Sequence, residues 1–208
     1  MIDLPPDCYQ ALNEPIMQQI YQVESSGNPF AIGVVNGRLI RQPKTIEEAV
    51  STANDLASQG RNYSIGKGQI NKVHFERLGW TSDISKGFNI CENVKAAHEI
   101  YNDCFSRAKH AGYPIDGKFN ATHAALSCYY SGSFKAALSN PDVTRYVNLV
   151  LSTKVVSNKE KTKKDPNVIP LANNTTRAKA KVLANPNSTP KSNANDWIAE
   201  GVNIINFN

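Results

Sequence analysis

The sequence predicts a mainly α domain with one small β-hairpin, followed by a flexible C-terminal tail. Three observations carry this. Apolar residues recur at helical spacing in a series of segments bounded by Asn, Thr, Gly and Pro. One stretch breaks that pattern: Ala31 to Arg41 sets β-branched residues on both sides of Asn36-Gly37, the strongest short hairpin signal. Composition then shifts after Leu151. Residues 1–151 hold 14 Lys and Arg against 14 Asp and Glu, whereas residues 152–208 hold 9 against 4 and so carry the whole net charge of +5. We therefore take 1–151 as the domain and 152–208 as a basic Asn/Lys-rich tail. The tail has eleven Asn and only two aromatics, Trp197 and Phe207, too little apolar surface to offset the entropy of ordering it. Residues 155–195 read as linker. The apolar end from Trp197 and Ile198 to Phe207 is suited to dock on the body as a strand or turn, or to bind a partner.

Each helix has its own punctuation. Asn13 stands two residues before Pro15, which predicts an N-cap followed by a helix burying Ile16, Ile20 and Val23. Thr45-Ile46-Glu47-Glu48 is a capping box, opening a stripe of Ala49, Val50, Ala53, Leu56 and Ala57 that stops at Gly60. A short helix from about Lys72 ends at Gly79. Asn89-Ile90-Cys91-Glu92 opens a long helix through Val94, Ala97, Tyr101, Phe105 and Ala108 that closes near Gly112. Another runs from about Asn120 to Tyr130. Asn140-Pro141 starts the last, with Val143, Tyr146, Val147 and Val150 facing inward.

Several function classes are excluded at this level. No apolar run approaches the roughly 18 residues that span a bilayer, so no transmembrane segment is expected. Met1 to Pro6 has neither a basic n-region nor an apolar h-region, so no signal peptide is expected, and the chain reads as cytosolic or as a mature form. A neutral body offers no nucleic-acid face, and the basic tail reads as solvated. His74, His98, His110 and His123 form no i, i+4 pair and the cysteines no close pair, so neither a metal site nor a cofactor is expected. The four cysteines, Cys8, Cys91, Cys104 and Cys128, suit two disulfides in an oxidising compartment. Cys91 and Cys104 share a helix about 20 Å apart, beyond the roughly 7 Å a disulfide allows. That leaves 8–91 with 104–128, or 8–104 with 91–128.

Three stretches carry chemistry. In Val23-Glu24-Ser25-Ser26-Gly27-Asn28-Pro29 a Glu ends an amphipathic helix on its apolar side, where desolvation raises a carboxyl pKa toward what a general acid needs. In Tyr63-Ser64-Ile65-Gly66-Lys67-Gly68-Gln69-Ile70-Asn71 the glycines permit close backbone approach, and Gln69 and Asn71 offer paired donors and acceptors suited to hydroxyl- and amide-rich ligands. The Walker spacing of a phosphate loop is absent. The third, Ala124-Ala125-Leu126-Ser127-Cys128-Tyr129-Tyr130-Ser131-Gly132-Ser133-Phe134, ends a helix with two adjacent aromatics.

In this order the stretches resemble the goose-type lysozyme and soluble lytic transglycosylase superfamily, and more narrowly its VirB1-like branch, the peptidoglycan-cleaving components of type IV secretion and conjugation systems. Glu24-Ser25-Ser26-Gly27-Asn28-Pro29 matches the first motif, followed by Ala31-Ile32-Gly33-Val34, Gln42-Pro43 and Glu48-Ala49. Gly66-Lys67-Gly68-Gln69-Ile70-Asn71, Cys91-Glu92-Asn93-Val94 and Ala125-Leu126-Ser127-Cys128-Tyr129-Tyr130-Ser131-Gly132 complete the set. The resemblance covers about residues 8 to 150. Two positions depart from the pattern: Lys67, where an apolar residue is usual, and Tyr130, where Asn is usual.

The resemblance implies a lysozyme-like helical domain and a single catalytic carboxyl. Glu24 would protonate the glycosidic oxygen between N-acetylmuramic acid and N-acetylglucosamine. It would then take the proton of the muramoyl C6 hydroxyl as that oxygen attacks C1, giving a 1,6-anhydro sugar without water. Ser25, Ser64, Gly68, Gln69, Asn71, Tyr129 and Tyr130 would form the substrate site, with Tyr129 holding Glu24 and Ser25 shaping the turn beside it. The implied partners are peptidoglycan glycan strands and secretion-channel subunits, the latter through the tail. The implied location is a Gram-negative periplasm. Two other readings stand beside this one: a water-using lysozyme-type hydrolase, with Glu48, Asp55 or Glu76 as second carboxylate, and a non-catalytic assembly factor of the channel.

Overall fold

The computed structural model describes residues 4–113 and 119–155, together with the backbone of residues 198–199. Seven helices account for most of the described body. Pro15, one residue inside its helix, supplies a fixed φ and no N–H to the first turn. It separates α1 (Pro6–Asn13) from α2 (Pro15–Ser25), so α1 is an additional helix. Asn13 is its last residue rather than the cap of α2, and its amide donates back to the Tyr9 carbonyl. The other start signals behave as read. Thr45 accepts from the Glu48 N–H to cap α3 (Ile46–Ser58). Asn89 caps α5 (Ile90–His110), Asn120 caps α6 (Ala121–Ser131) and Asn140 caps α7 (Pro141–Ser152), each through its side-chain oxygen.

The β structure is larger than a hairpin, and it is wired differently. β1 (Ile32–Val34) pairs antiparallel with β3 (Tyr63–Ile65), which pairs antiparallel with β4 (Ile70–Asn71), giving the order β1-β3-β4. Across the Asn36-Gly37 turn, β1 and β2 (Arg38–Leu39) share only the bridge Val34–Gly37. The turn itself is centred one residue early, on Val35-Asn36. The Gly37 N–H donates to the Val34 carbonyl, and Asn36 holds the positive φ of 56°. β2 pairs instead with β5 (Ile198–Ala199), one of the docking modes expected of the apolar C-terminal end. The linker reading of 155–195 lies outside the described residues, apart from Val155 itself, as do Trp197 and the segment from Val202 to Phe207.

A 3₁₀ turn at Lys72–His74 leads into α4 (Phe75–Leu78), which Gly79 terminates. α5 is the axis of the body, packed along α6 on one side and α1 on the other. Two disulfides fasten those contacts, Cys8–Cys91 between α1 and α5 and Cys104–Cys128 between α5 and α6. The core runs from Cys8, Met17 and Ile20 through Leu56, Ile65, Trp80 and Val94 to Leu126, Val147 and Val150. The result is the mainly α, lysozyme-like architecture that the motifs imply, with the small sheet placed beside the end of α2.

Candidate active site

The end of α2 sets the first residue. Ser26 takes a left-handed φ of 53° immediately after the helix, so the chain turns sharply one residue beyond Ser25. The Ser25 hydroxyl secures that turn, donating to the Lys67 carbonyl at 2.8 Å and accepting from the Gly27 N–H at 3.2 Å. Glu24, one residue back, points its carboxyl into a cleft of about 740 Å³. Ser64, Gln69, Asn71, Tyr129 and Tyr130 line the same cleft, so most of the residues singled out from sequence converge there.

The loop opposite Glu24 is held from behind. Asn93 on α5 is 1% exposed; its side-chain oxygen accepts from the Gly68 N–H at 2.7 Å, and its amide donates to the Ile65 and Gly87 carbonyls at 3.0 and 2.8 Å. Both loop glycines are required by this packing. A Cβ on Gly66, at φ +76°, would meet the Asn93 amide nitrogen at 2.2 Å, and one on Gly68 would meet the Ala97 Cβ at 2.6 Å. Sequence reading placed Asn93 in a motif without a role. Its position on the buried stripe that continues through Ala97 and Tyr101 is the signal that marks it, because a buried amide in such a stripe must be hydrogen-bonded.

Glu24 is gripped by a different tyrosine from the one expected. The Tyr146 hydroxyl, from α7, donates to Glu24 Oε1 at 2.7 Å. Tyr129 instead donates to the Gly68 carbonyl at 2.6 Å, so it ties α6 to the glycine loop. Tyr130 stacks on Tyr146, with ring centroids 4.4 Å apart, and so fixes the ring that fixes the acid. Tyr146 escaped notice as a site residue because its ring belongs to the buried α7 core stripe and it meets the site only through its hydroxyl's bond to Glu24.

Electrostatics follow from this geometry. Burial pushes the Glu24 carboxyl up to about 8, with the Tyr146 hydrogen bond pulling in the opposite direction. The carboxyl is therefore protonated at neutral pH. Two polar side chains expected to face a ligand are partly engaged within the protein. Gln69 donates to the Ala31 and Gly66 carbonyls. Asn71 donates to Asn62 Oδ1 and Ser64 Oγ, while its own oxygen caps the turn at Val73. Lys67 lies half-buried over the Tyr21 ring and donates to the Gly27 carbonyl, bracing the turn after Glu24. Of the carboxylates weighed as partners, Glu48 is bound bidentate by Arg41 and, with Asp55 and Glu76, is not among the residues lining the cleft. Among the described residues, no group of three or more His, Cys, Asp and Glu is placed to hold a metal ion, and no helix is long and apolar enough to cross a membrane.

No family model matches the chain, and no solved structure matches it. Curated proteins do. Over 184 residues the chain is 38% identical to the type IV secretion system protein virB1 of Brucella suis, covering 87% of this chain and 73% of that protein. The proteins of the same name from Brucella abortus and Brucella melitensis match with the same identity and coverage.

Proposed function

As the chain belongs to the VirB1 family of type IV secretion system proteins, we propose that it is a peptidoglycan lytic transglycosylase that opens the cell wall locally for a secretion or conjugation channel in a Gram-negative periplasm. The observation that carries this is a single carboxyl, Glu24, kept protonated at neutral pH by burial and oriented by Tyr146 in a cleft of about 740 Å³. A general acid needs that protonation state, and a pKa near ambient pH lets the same group serve afterwards as base.

The step balances with one carboxyl. Glu24 gives its proton to the glycosidic oxygen between N-acetylmuramic acid and N-acetylglucosamine as the C1–O bond breaks, with the neighbouring 2-acetamido group supporting C1. The resulting carboxylate then takes the proton of the muramoyl C6 hydroxyl as that oxygen bonds to C1. The 1,6-anhydro ring closes, and the acid is restored. Two-carboxylate glycosidases place a second carboxyl about 5–5.5 Å or 6.5–9.5 Å from the first. The other carboxylates lining this cleft, Glu99 and Asp103, are each ion-paired with an arginine. Ser64, Gln69, Asn71 and Tyr129 supply hydroxyl and amide groups along the wall for acetamido and hydroxyl recognition.

The test is mass spectrometry of the sugars released from purified sacculi by the protein and by its Glu24→Gln variant. Anhydro-muropeptides from the parent, and a loss of at least about 10³-fold in the variant, are expected. Reducing-end muropeptides would assign a hydrolase. No soluble product from either protein would assign an assembly role.

A further inference from the structure

The residues lining the cleft divide by charge. Around Glu24, Ser64, Gln69 and Tyr129 it is uncharged at neutral pH. Elsewhere its wall carries Arg77 from α4 and Glu99, Asp103 and Arg107 from α5. The last three recur every fourth residue and so share one helix face. Arg77 is ion-paired with Glu99, and Arg107 Nε donates to Asp103 Oδ2 at 2.9 Å. Arg107 also has contacts on its inner side. Its Nη2 lies 3.4 Å from the Cys128 sulfur, and its guanidinium stands 5.2 Å from the Phe134 ring centroid.

Resting on the glycan-cleaving reading above, the geometry points to this charged wall as a subsite for the peptide stem of the substrate. The linked sugars of peptidoglycan are uncharged along the strand. The charges of the polymer sit on the stem, as terminal and side-chain carboxylates and the amine of its diamino residue. A wall serving sugars alone has no use for four full charges, whereas a row of both signs matches a zwitterionic peptide. The reach agrees. Glu99 to Arg107 spans about 12 Å along the helix, the length of three to four extended residues at about 3.3 Å each. Exposed ion pairs of this kind are individually weak, so a ligand carboxylate or amine replaces the internal partner at little cost.

The test reads binding without turnover, using the full chain carrying Glu24→Gln. The probes are glycan strands solubilised from sacculi with their stems intact, and the same strands stripped of stems by an amidase, with the lactyl carboxylates that this hydrolysis frees capped as methylamides so that the sugars stay uncharged. Stemmed strands are expected to bind about three- to tenfold more tightly, as two exposed charge contacts provide, with the preference shrinking at about 0.5 M NaCl. Adding Arg77→Gln with Arg107→Gln should abolish the preference, and Arg77→Lys with Arg107→Lys should keep most of it. Far-UV circular dichroism confirms the fold. If the double variant does not fold, either single Gln variant should cut the preference to about its square root, roughly two- to threefold. Equal binding of both probes, binding of neither, or a preference unmoved by the Gln substitutions overturns the inference. Whether the unaltered protein cleaves either strand is a separate result that bears on the glycan-cleaving reading alone.

Discussion

A carboxyl that gives a proton and then takes one back must change charge state inside its own site, and at Glu24 two neighbours pull that change in opposite directions. Burial favours the neutral acid and raises it to about 8, while the Tyr146 hydroxyl stabilises the carboxylate. Cleavage is therefore expected to hold at neutral pH and to fall as pH rises through about 8. Replacing Tyr146 with Phe removes the group that favours the charged form, so the alkaline limb of the rate profile should move to higher pH. The rate should fall by about tenfold or more as the acid loses its orientation. A merely structural Tyr146 would lower the rate and leave the limb in place. The same shift has a stability consequence of fixed sign. The folded-state pKa of Glu24 lies above its unfolded value of 4.5, so between those values the folded protein holds a proton that the unfolded chain has lost. The associated stability is fully present below about pH 4.5 and is lost as pH rises through about 8. Glu24→Gln should thus be more stable than the parent at pH 8 by a few kcal/mol, at about 1.4 kcal/mol per pKa unit. The difference should close below pH 4.5, as read by thermal unfolding across that range.

At the scale of elements, the site depends on how α5 holds a loop that lies 25 residues back along the chain from Asn93. Three hydrogen bonds from the buried Asn93 side chain fix Ile65, Gly68 and Gly87. Asn93→Ala strips a partner from one N–H and two carbonyls in a buried setting, at a cost of about 2–4 kcal/mol. That predicts a fall in Tm of about 10 °C for a domain of this size, together with a raised KM, since the Gly68 carbonyl anchors Tyr129. A Tm within about 2 °C of the parent would mean the amide clamps nothing. The same scale shows what sequence makes legible. Thr45, Asn89, Asn120 and Asn140 were readable because an N-cap acts on the two or three residues beside it. α1 was not, because its eight residues make little more than two turns and bury only Cys8 and Ala11, too short a stripe to stand out in the sequence. β3 was not, because all three of its residues are buried, so it shows no alternation, and its pairing with β1 joins residues about thirty apart in the chain. Glu24 was legible from its apolar helix face and motif. Tyr146, 122 residues away, was legible only as core. A single sequence reports local chemistry well; which hydroxyl reaches which carboxyl is decided by packing.

For the whole molecule the two disulfides do different work, although both leave from α5. Cys8–Cys91 ties residues 83 apart and holds α1 to the start of α5. Cys104–Cys128 closes only 24 residues, but its cysteines line the cleft and its sulfurs lie beside Arg107. Loop-closure entropy assigns about 4.5 kcal/mol to the longer link and about 3.5 kcal/mol to the shorter. A domain's total stability is about 5–15 kcal/mol, so either loss is a large fraction and the joint loss threatens folding. This accords with a protein that works in an oxidising compartment. Cys8→Ala with Cys91→Ala should therefore lower the denaturant midpoint more than Cys104→Ala with Cys128→Ala does. The effect on the site should run the other way. The first pair lies outside the cleft, and its removal should leave KM for sacculi unchanged at temperatures where the variant stays folded. The second pair supports the cleft wall, so its removal should raise KM severalfold while costing less stability. If both pairs changed stability and KM in the same proportion, the cleft would not be a separable part of the fold, and the placement of the second disulfide would be a matter of stability alone.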